Sequence, residues 1–134
     1  MAEPYTLKRI DEMEAHYAGT FKLARAELGA TSFGIQVIDL PANVDAYPAH
    51  DHTDNRQEEV FVVLSGEGEI VLDGETLKLE PRTMVRMAPE VNRKLVTKDS
   101  PLSVLALGAV PGKAYEIDPS TELGSPDPLA SSQA

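Results

Sequence analysis

The sequence predicts an all-β fold, a small barrel or sandwich of two packed antiparallel sheets. Three observations point there. Glycines and prolines recur through the middle of the chain and leave only short segments between them. Those segments either alternate apolar and polar residues or are rich in β-branched ones, whereas a helix would repeat every three to four positions. About eight of them follow one another at a spacing of roughly 8–12 residues, as strands of sandwiches and small barrels do. The 134 residues hold one domain with a tail and exclude two. A hydrophobic content of 42% supplies a core without disulfides or a structural metal.

Arg9 to Tyr17 is the best helix candidate, a turn or two long, with Asp11 and Glu12 near its start, where the helix dipole favours acids. Strands are expected over Phe21–Glu27 and Phe33–Leu40, with Gly29 as the turn between them and Pro41–Pro48 as a loop. The next strand, Glu59–Leu64 (EVFVVL), is apolar on both faces, as in a strand buried between two layers, and Ser65 and Gly66 end it. Glu69–Leu72 and Glu75–Leu79 flank Asp73-Gly74, the strongest hairpin signal in the chain. Thr83–Met87, Arg93–Thr97 and Ser103–Leu107 complete the set. The chain thus divides into an N-terminal extension (1–20), a barrel domain (21–117) and a tail (118–134). The tail's Pro, Ser and Asp content predicts a segment that is mobile or laid over the surface.

With 22 acidic against 12 basic side chains the formal charge is -10, so neither nucleic acid nor an anionic membrane is an expected partner. There is no cysteine, which excludes thiolate metal sites, a cysteine nucleophile and a disulfide scaffold. Any metal is left to His, Asp and Glu, with only His16, His50 and His52 available. His16 has no partner at ligand spacing and reads as a surface residue. The first ten residues carry no apolar signal core, and no stretch approaches the roughly 18 apolar residues of a membrane span, so the cytoplasm is the expected compartment. No phosphate-cradling glycine loop or dinucleotide fingerprint is present. Ser32 and Ser65 lack a His or acid at a spacing that suits nucleophilic catalysis.

The informative stretch is Tyr47–Gly66, YPAHDHTDNRQEEVFVVLSG. His50 and His52 are two positions apart, which on extended backbone places both imidazoles on one face. Both then reach one ion at about 2.0–2.1 Å. The strand opening at Glu58-Glu59 returns a carboxylate toward the same point. Two His and one carboxylate with open positions is the ligand set of non-haem iron sites and also suits manganese, nickel, copper or zinc.

His50-x-His52, six residues, Glu59, six residues and Gly66 resembles the first cupin motif, with a longer loop than usual before the Glu and with Val44 where an earlier Gly is expected. The motif's spacing from Glu to Gly makes Glu59 rather than Glu58 the implied ligand. Leu79 to Lys94 is similar to the second cupin motif, with Arg82 and Glu90 at positions expected to be Gly and Arg93 where the third His ligand is expected. The resemblance spans Pro41 to Leu107. It implies a cupin-type double-stranded β-helix, a small jelly-roll-like barrel that is usually a homodimer, and a metal site of His50, His52 and Glu59.

Arg93 cuts two ways. A guanidinium stays charged and cannot ligate a cation. At the third ligand position it opposes a tightly held divalent ion, with pairing to Glu59 as an offset, and it favours an anionic ligand. Between Arg82 and Lys98 five cations (Arg82, Arg86, Arg93, Lys94, Lys98) face one acid, Glu90. Two readings of this stretch stay open: a solvated basic edge, or a carboxylate or phosphate clamp in the barrel mouth built on Arg93 and Arg86. Parity separates Met84 and Arg86 from Val85 and Met87 without saying which pair faces inward.

Two functions are therefore expected. One is a small-molecule-binding cupin with a divalent metal on His50, His52 and Glu59, acting as a dioxygenase or isomerase on a small organic acid. The other is a metal-free, non-catalytic binder in which Arg93 pairs with Glu59 and the histidines line the pocket. A barrel serving only as a scaffold is a third class, because fold does not fix function.

Overall fold

A computed structural model describes residues 4–129. Residues 1–3 and 130–134, the ends of the expected extension and tail, lie outside the described residues. The strands among the described residues are β1 (Ala15–His16), β2 (Phe21–Lys22), β3 (Gly34–Leu40), β4 (Glu58–Gly66), β5 (Gly68–Leu72), β6 (Glu75–Leu79), β7 (Met84–Met87), β8 (Arg93–Val96) and β9 (Leu102–Ala109), with one short helix α1 (Ala24–Leu28). They form a six-stranded sheet in the order β1-β2-β3-β9-β4-β7 and a three-stranded sheet in the order β6-β5-β8. Every pairing is antiparallel.

Period-two alternation decides what each strand buries. On β9, Leu102, Val104 and Ala106 are buried, and on β4, Phe61 and Val63 are. These meet Ile70 of β5, Leu79 of β6 and Leu95 of β8 from the smaller sheet in one core that also takes in Ile38, Leu40 and Met87. Fully burying each such side chain contributes about 1.5–3 kcal/mol. The opposite face of β3 is not left to solvent: Val37 packs with Met13 and Ala24 of the N-terminal segment, against Ile35 and Leu105.

The Asp73-Gly74 turn has positive φ at both residues, 48° and 86°, the two-residue turn whose twist matches its strands. At Gly66, φ is 79° and a Cβ would collide with the Pro101 carbonyl, so the end of β4 requires glycine.

Three local expectations are corrected. The stretch expected as a strand over Phe21–Glu27 keeps only two strand residues before α1 begins. Ala, Arg, Glu and Leu are strong helix formers, and Gly29 in the left-handed region (φ 76°) caps the helix by donating to the Arg25 and Ala26 carbonyls. The expected helix over Arg9–Tyr17 is a single 3-10 turn at Ile10–Glu12 followed by β1, because its apolar residues do not repeat at helical spacing and Tyr17, Ala18 and Gly19 reverse the chain with positive φ. Finally, β4 is not buried on both faces. Val60 and Val62 are half-buried, and Leu64, displaced by a bulge between Val63 and Ser65, is exposed.

The described part of the tail is laid over the N-terminal segment. The Gly124 N–H donates to Glu14 Oε2 (2.8 Å), the Tyr17 N–H to Asp127 Oδ1 (3.0 Å), and Glu122 pairs with Arg25 at 3.2 Å. His16 is therefore not a surface residue: the tail covers it to 4% exposure, with Nε2 3.2 Å from the Ser125 carbonyl. No helix among the described residues is long and apolar enough to cross a membrane.

Candidate metal centre

The loop before β4 is tied to the smaller sheet through its own backbone. His50 and Arg93 exchange N–H to carbonyl hydrogen bonds in both directions (3.0 and 2.8 Å), a one-residue extension of the ladder beyond β8. His52 N–H then donates to the Pro89 carbonyl at 2.7 Å. Between them Asp51 turns outward and accepts from the Thr53 N–H and hydroxyl, which hold its carboxyl below the usual range. The two imidazoles meet edge to face with centroids 5.2 Å apart. Alternation on β4 places Glu59 on the same side as Phe61 and Val63, facing the interior. His50, His52 and Glu59 each bring one ligating atom to within 4.8 Å of the others.

Protonation geometry prepares these donors. A carbonyl only accepts, so His50 Nδ1, 3.1 Å from the Pro48 oxygen, carries the proton and leaves Nε2 with a free lone pair. His52 Nε2 is buried and has no hydrogen-bond partner; Glu59 Oε1 is 3.5 Å away, too distant for a good hydrogen bond. Burial pushes the Glu59 carboxyl up, yet contact with His52 and with the Arg93 guanidinium outweighs this and holds it below the usual carboxylate range.

Arg93 is completely buried. Its Nη1 donates to Glu59 Oε1 at 2.8 Å, its Nη2 to the Ala88 and Val91 carbonyls at 2.9 Å each, and its Nε to Val91 at 3.2 Å. Four of the five guanidinium N–H groups are thus engaged within the protein, and Arg93 stands as a counter-ion behind Glu59. Arg86, expected beside it, points the other way. Met87 is the buried member of that strand, so Arg86 projects outward, where it pairs with Glu58 at 2.9 Å. Lys94 and Lys98 pair with Asp45 and Glu69. Four of the five cations of the basic stretch, Arg86, Arg93, Lys94 and Lys98, thus pair with four separate carboxylates.

The three donors open onto a cavity of about 1150 Å³ that is also lined by Phe21, Ile38, Leu40 and Tyr47 and, from the tail side, by Tyr115 and Ile117. Tyr47 was not singled out by the sequence reasoning. Its ring lies 5.9 Å from that of His50. Burial first, and the Glu59 carboxylate second, push its phenol well above the ordinary value, so it remains a neutral O–H donor. Its position three residues before His50 was the available signal.

Comparison with known proteins follows the same lines. A cupin protein from Bacteroides fragilis superposes with a TM-score of 0.67 at 25% identity, covering 87% of this chain and 93% of that one. The DMSP lyase DddQ from Ruegeria pomeroyi matches at 26% identity and TM-score 0.54, over 69% of this chain; this chain spans 46% of the lyase. The cupin domain of an XRE family transcriptional regulator from Enterobacter cloacae matches at 26% identity and TM-score 0.53, over 62% of this chain and 86% of that one. No curated protein matches. The cupin domain family itself matches residues 37–108, from β3 through β9 and including all three donors and Arg93. The protein belongs to the cupin family.

Proposed function

We propose that this protein is a metal-binding cupin in which His50, His52 and Glu59 hold a divalent ion at the wall of the cavity. The observation that carries the reading is His52 Nε2, buried with no hydrogen bond and facing a carboxylate oxygen already engaged by Arg93. Leaving a buried polar atom unsatisfied costs about 1–3 kcal/mol, and a cation accepting that lone pair together with those of His50 and Glu59 removes the cost. The donor set fits iron, manganese, nickel, copper or zinc. When bound, such an ion supplies Lewis acidity at the positions the protein leaves open.

The chain's own residues do the rest. The Pro48 carbonyl fixes the His50 tautomer, Arg93 fixes Glu59, and the Tyr47 hydroxyl offers a neutral donor on the cavity side. The apolar lining of Phe21, Ile38 and Leu40 suits a small organic ligand with a polar head. Dioxygenation or isomerisation of a small organic acid is the chemistry this arrangement suits. That a DMSP lyase is among the structural relatives supports a catalytic use of the barrel.

The Arg93–Glu59 pair favours a second reading, a metal-free ligand-binding barrel in which that pair alone satisfies the carboxylate. Metal analysis of protein purified without an affinity tag decides between them. The metal reading expects close to one equivalent of a divalent metal in the wild type and little in His50→Ala and His52→Ala. Equally low content in all three supports the metal-free reading.

A further inference from the structure

The charge inventory of this site is unusual for a place expected to hold a divalent cation. Coordinating imidazoles are neutral, so Glu59 is the one anionic donor of the cluster, and no fourth His or carboxylate joins it among the described residues. Its negative charge is already matched. Arg93 is fully buried, permanently charged, and 2.8 Å from the carboxylate oxygen that also faces His52. The protein groups at the site thus sum to no net charge, where a divalent ion is stabilised by anionic ligands.

Nor do other cavity residues make up the difference. Asp54, Glu116 and Asp118 line the cavity but are solvent-exposed, and Arg56 and Lys113 in the same lining oppose them. Screening by water and salt leaves such charges little hold on a partly buried ion. Arg93 for its part is fully buried, is not among the residues lining the cavity, and has four of its five N–H groups engaged by Glu59, Ala88 and Val91, so its charge opposes a cation while its donors face the protein.

We infer that Arg93 makes this a joint site, at which a divalent metal and a small carboxylate ligand bind together and each raises the affinity of the other. This rests on the metal reading above. The metal provides the positive charge that the anion meets in the cavity, and the anion provides the negative charge that the protein, through Arg93, withholds. The ligand class is a small carboxylate able to donate oxygen to the positions left open by three protein donors. Linkage requires the two effects to be equal.

The test is calorimetric titration of metal-free protein with Mn2+, alone and in saturating oxalate, corrected for Mn2+–oxalate association in solution, and then the reverse titration. Oxalate is expected to tighten Mn2+ binding at least tenfold, and Mn2+ to tighten oxalate binding by the same factor. Arg93→Met is expected to bind Mn2+ alone more tightly than the wild type does and to reduce the coupling below threefold. Arg93→Lys, which keeps the charge, is expected to retain the coupling. Because the wild-type titrations decide the matter alone, misfolding of Arg93→Met does not spare the inference. Mn2+ binding with the same affinity with and without oxalate overturns the coupling and leaves the metal site standing. No Mn2+ binding in either titration overturns the metal site itself, and the coupling with it.

Discussion

Glu58 and Glu59 are neighbours in sequence, and each holds an arginine at nearly the same distance, 2.9 Å for Arg86 and 2.8 Å for Arg93. Everything else about the two pairs differs. The Glu58–Arg86 side chains are 43% and 64% exposed, on the outer face of the larger sheet, where water solvates both ions as well as they solvate each other. Glu59 and Arg93 are 14% and 0% exposed, and the guanidinium has no water to fall back on. The alternation of β4 puts one carboxylate in solvent and the next in the barrel, and that placement decides which pair matters. Residue type and distance do not.

The comparison is broken most severely by removing one buried partner. Arg93→Met leaves Glu59 facing an apolar group and frees the Ala88 and Val91 carbonyls, and urea unfolding is expected to show a loss of about 3–5 kcal/mol. Arg86→Met, the matching change outside, is expected to cost under about 1 kcal/mol in the same experiment. Losses of similar size would mean that burial does not separate the pairs.

A middle-sized effect is expected at His52. Its Nε2 has no hydrogen bond to lose, so His52→Gln is expected to lower the stability of the metal-free protein by no more than about 1–2 kcal/mol. The same change is expected to remove metal binding, measured as metal content after dialysis against Zn2+. A large stability loss without any metal would indicate that His52 serves packing instead.

The smallest effect belongs to the exposed contacts that fasten the tail. The Tyr17 N–H, first among several donors, holds the Asp127 carboxyl below the usual range. A lowered folded-state pKa means that the contact stabilises above the ordinary Asp pKa of about 3.9 and is lost as pH falls through the depressed value. Hydrogen exchange at the Tyr17 amide is expected to show protection at pH 6 that declines toward pH 3, and Asp127→Asn is expected to reduce it at pH 6. Protection unchanged by either would place the tail's anchorage elsewhere, at Arg25–Glu122 or Glu14–Gly124.

How much of this was legible beforehand follows from the range of the forces involved. The strands from β3 to β9 were readable because their signals are local: period-two alternation, the Asp73-Gly74 turn, glycine at position 66. Glu59 rather than Glu58 was implied by the resemblance, through the motif's spacing from Glu to Gly, and it is the Glu59 carboxylate that lies beside the two imidazoles. Parity grouped Arg86 with Met84, but its direction depends on where the second sheet lies, which is not a local property. Arg93 was placed at the site by the resemblance, and its withdrawal behind Glu59 depends on the Ala88 and Val91 carbonyls folding around it. His16 looked exposed because the segment that buries it arrives more than a hundred residues later, at Ser125. The α1 helix was misread for a different reason: ARAEL is a strong helical run, and the strand pattern on either side was extended through it.

The central claim is that His50, His52 and Glu59 form a metal site and that Glu58 is no part of it. Titration of the metal-free protein with Co2+, followed by visible absorption, tests this most directly in the wild type, Glu58→Gln and His52→Ala. The wild type and Glu58→Gln are expected to give the same spectrum with one equivalent bound, and His52→Ala to give none. A wild type that develops no absorption, or a His52→Ala variant that titrates as the wild type does, would contradict it.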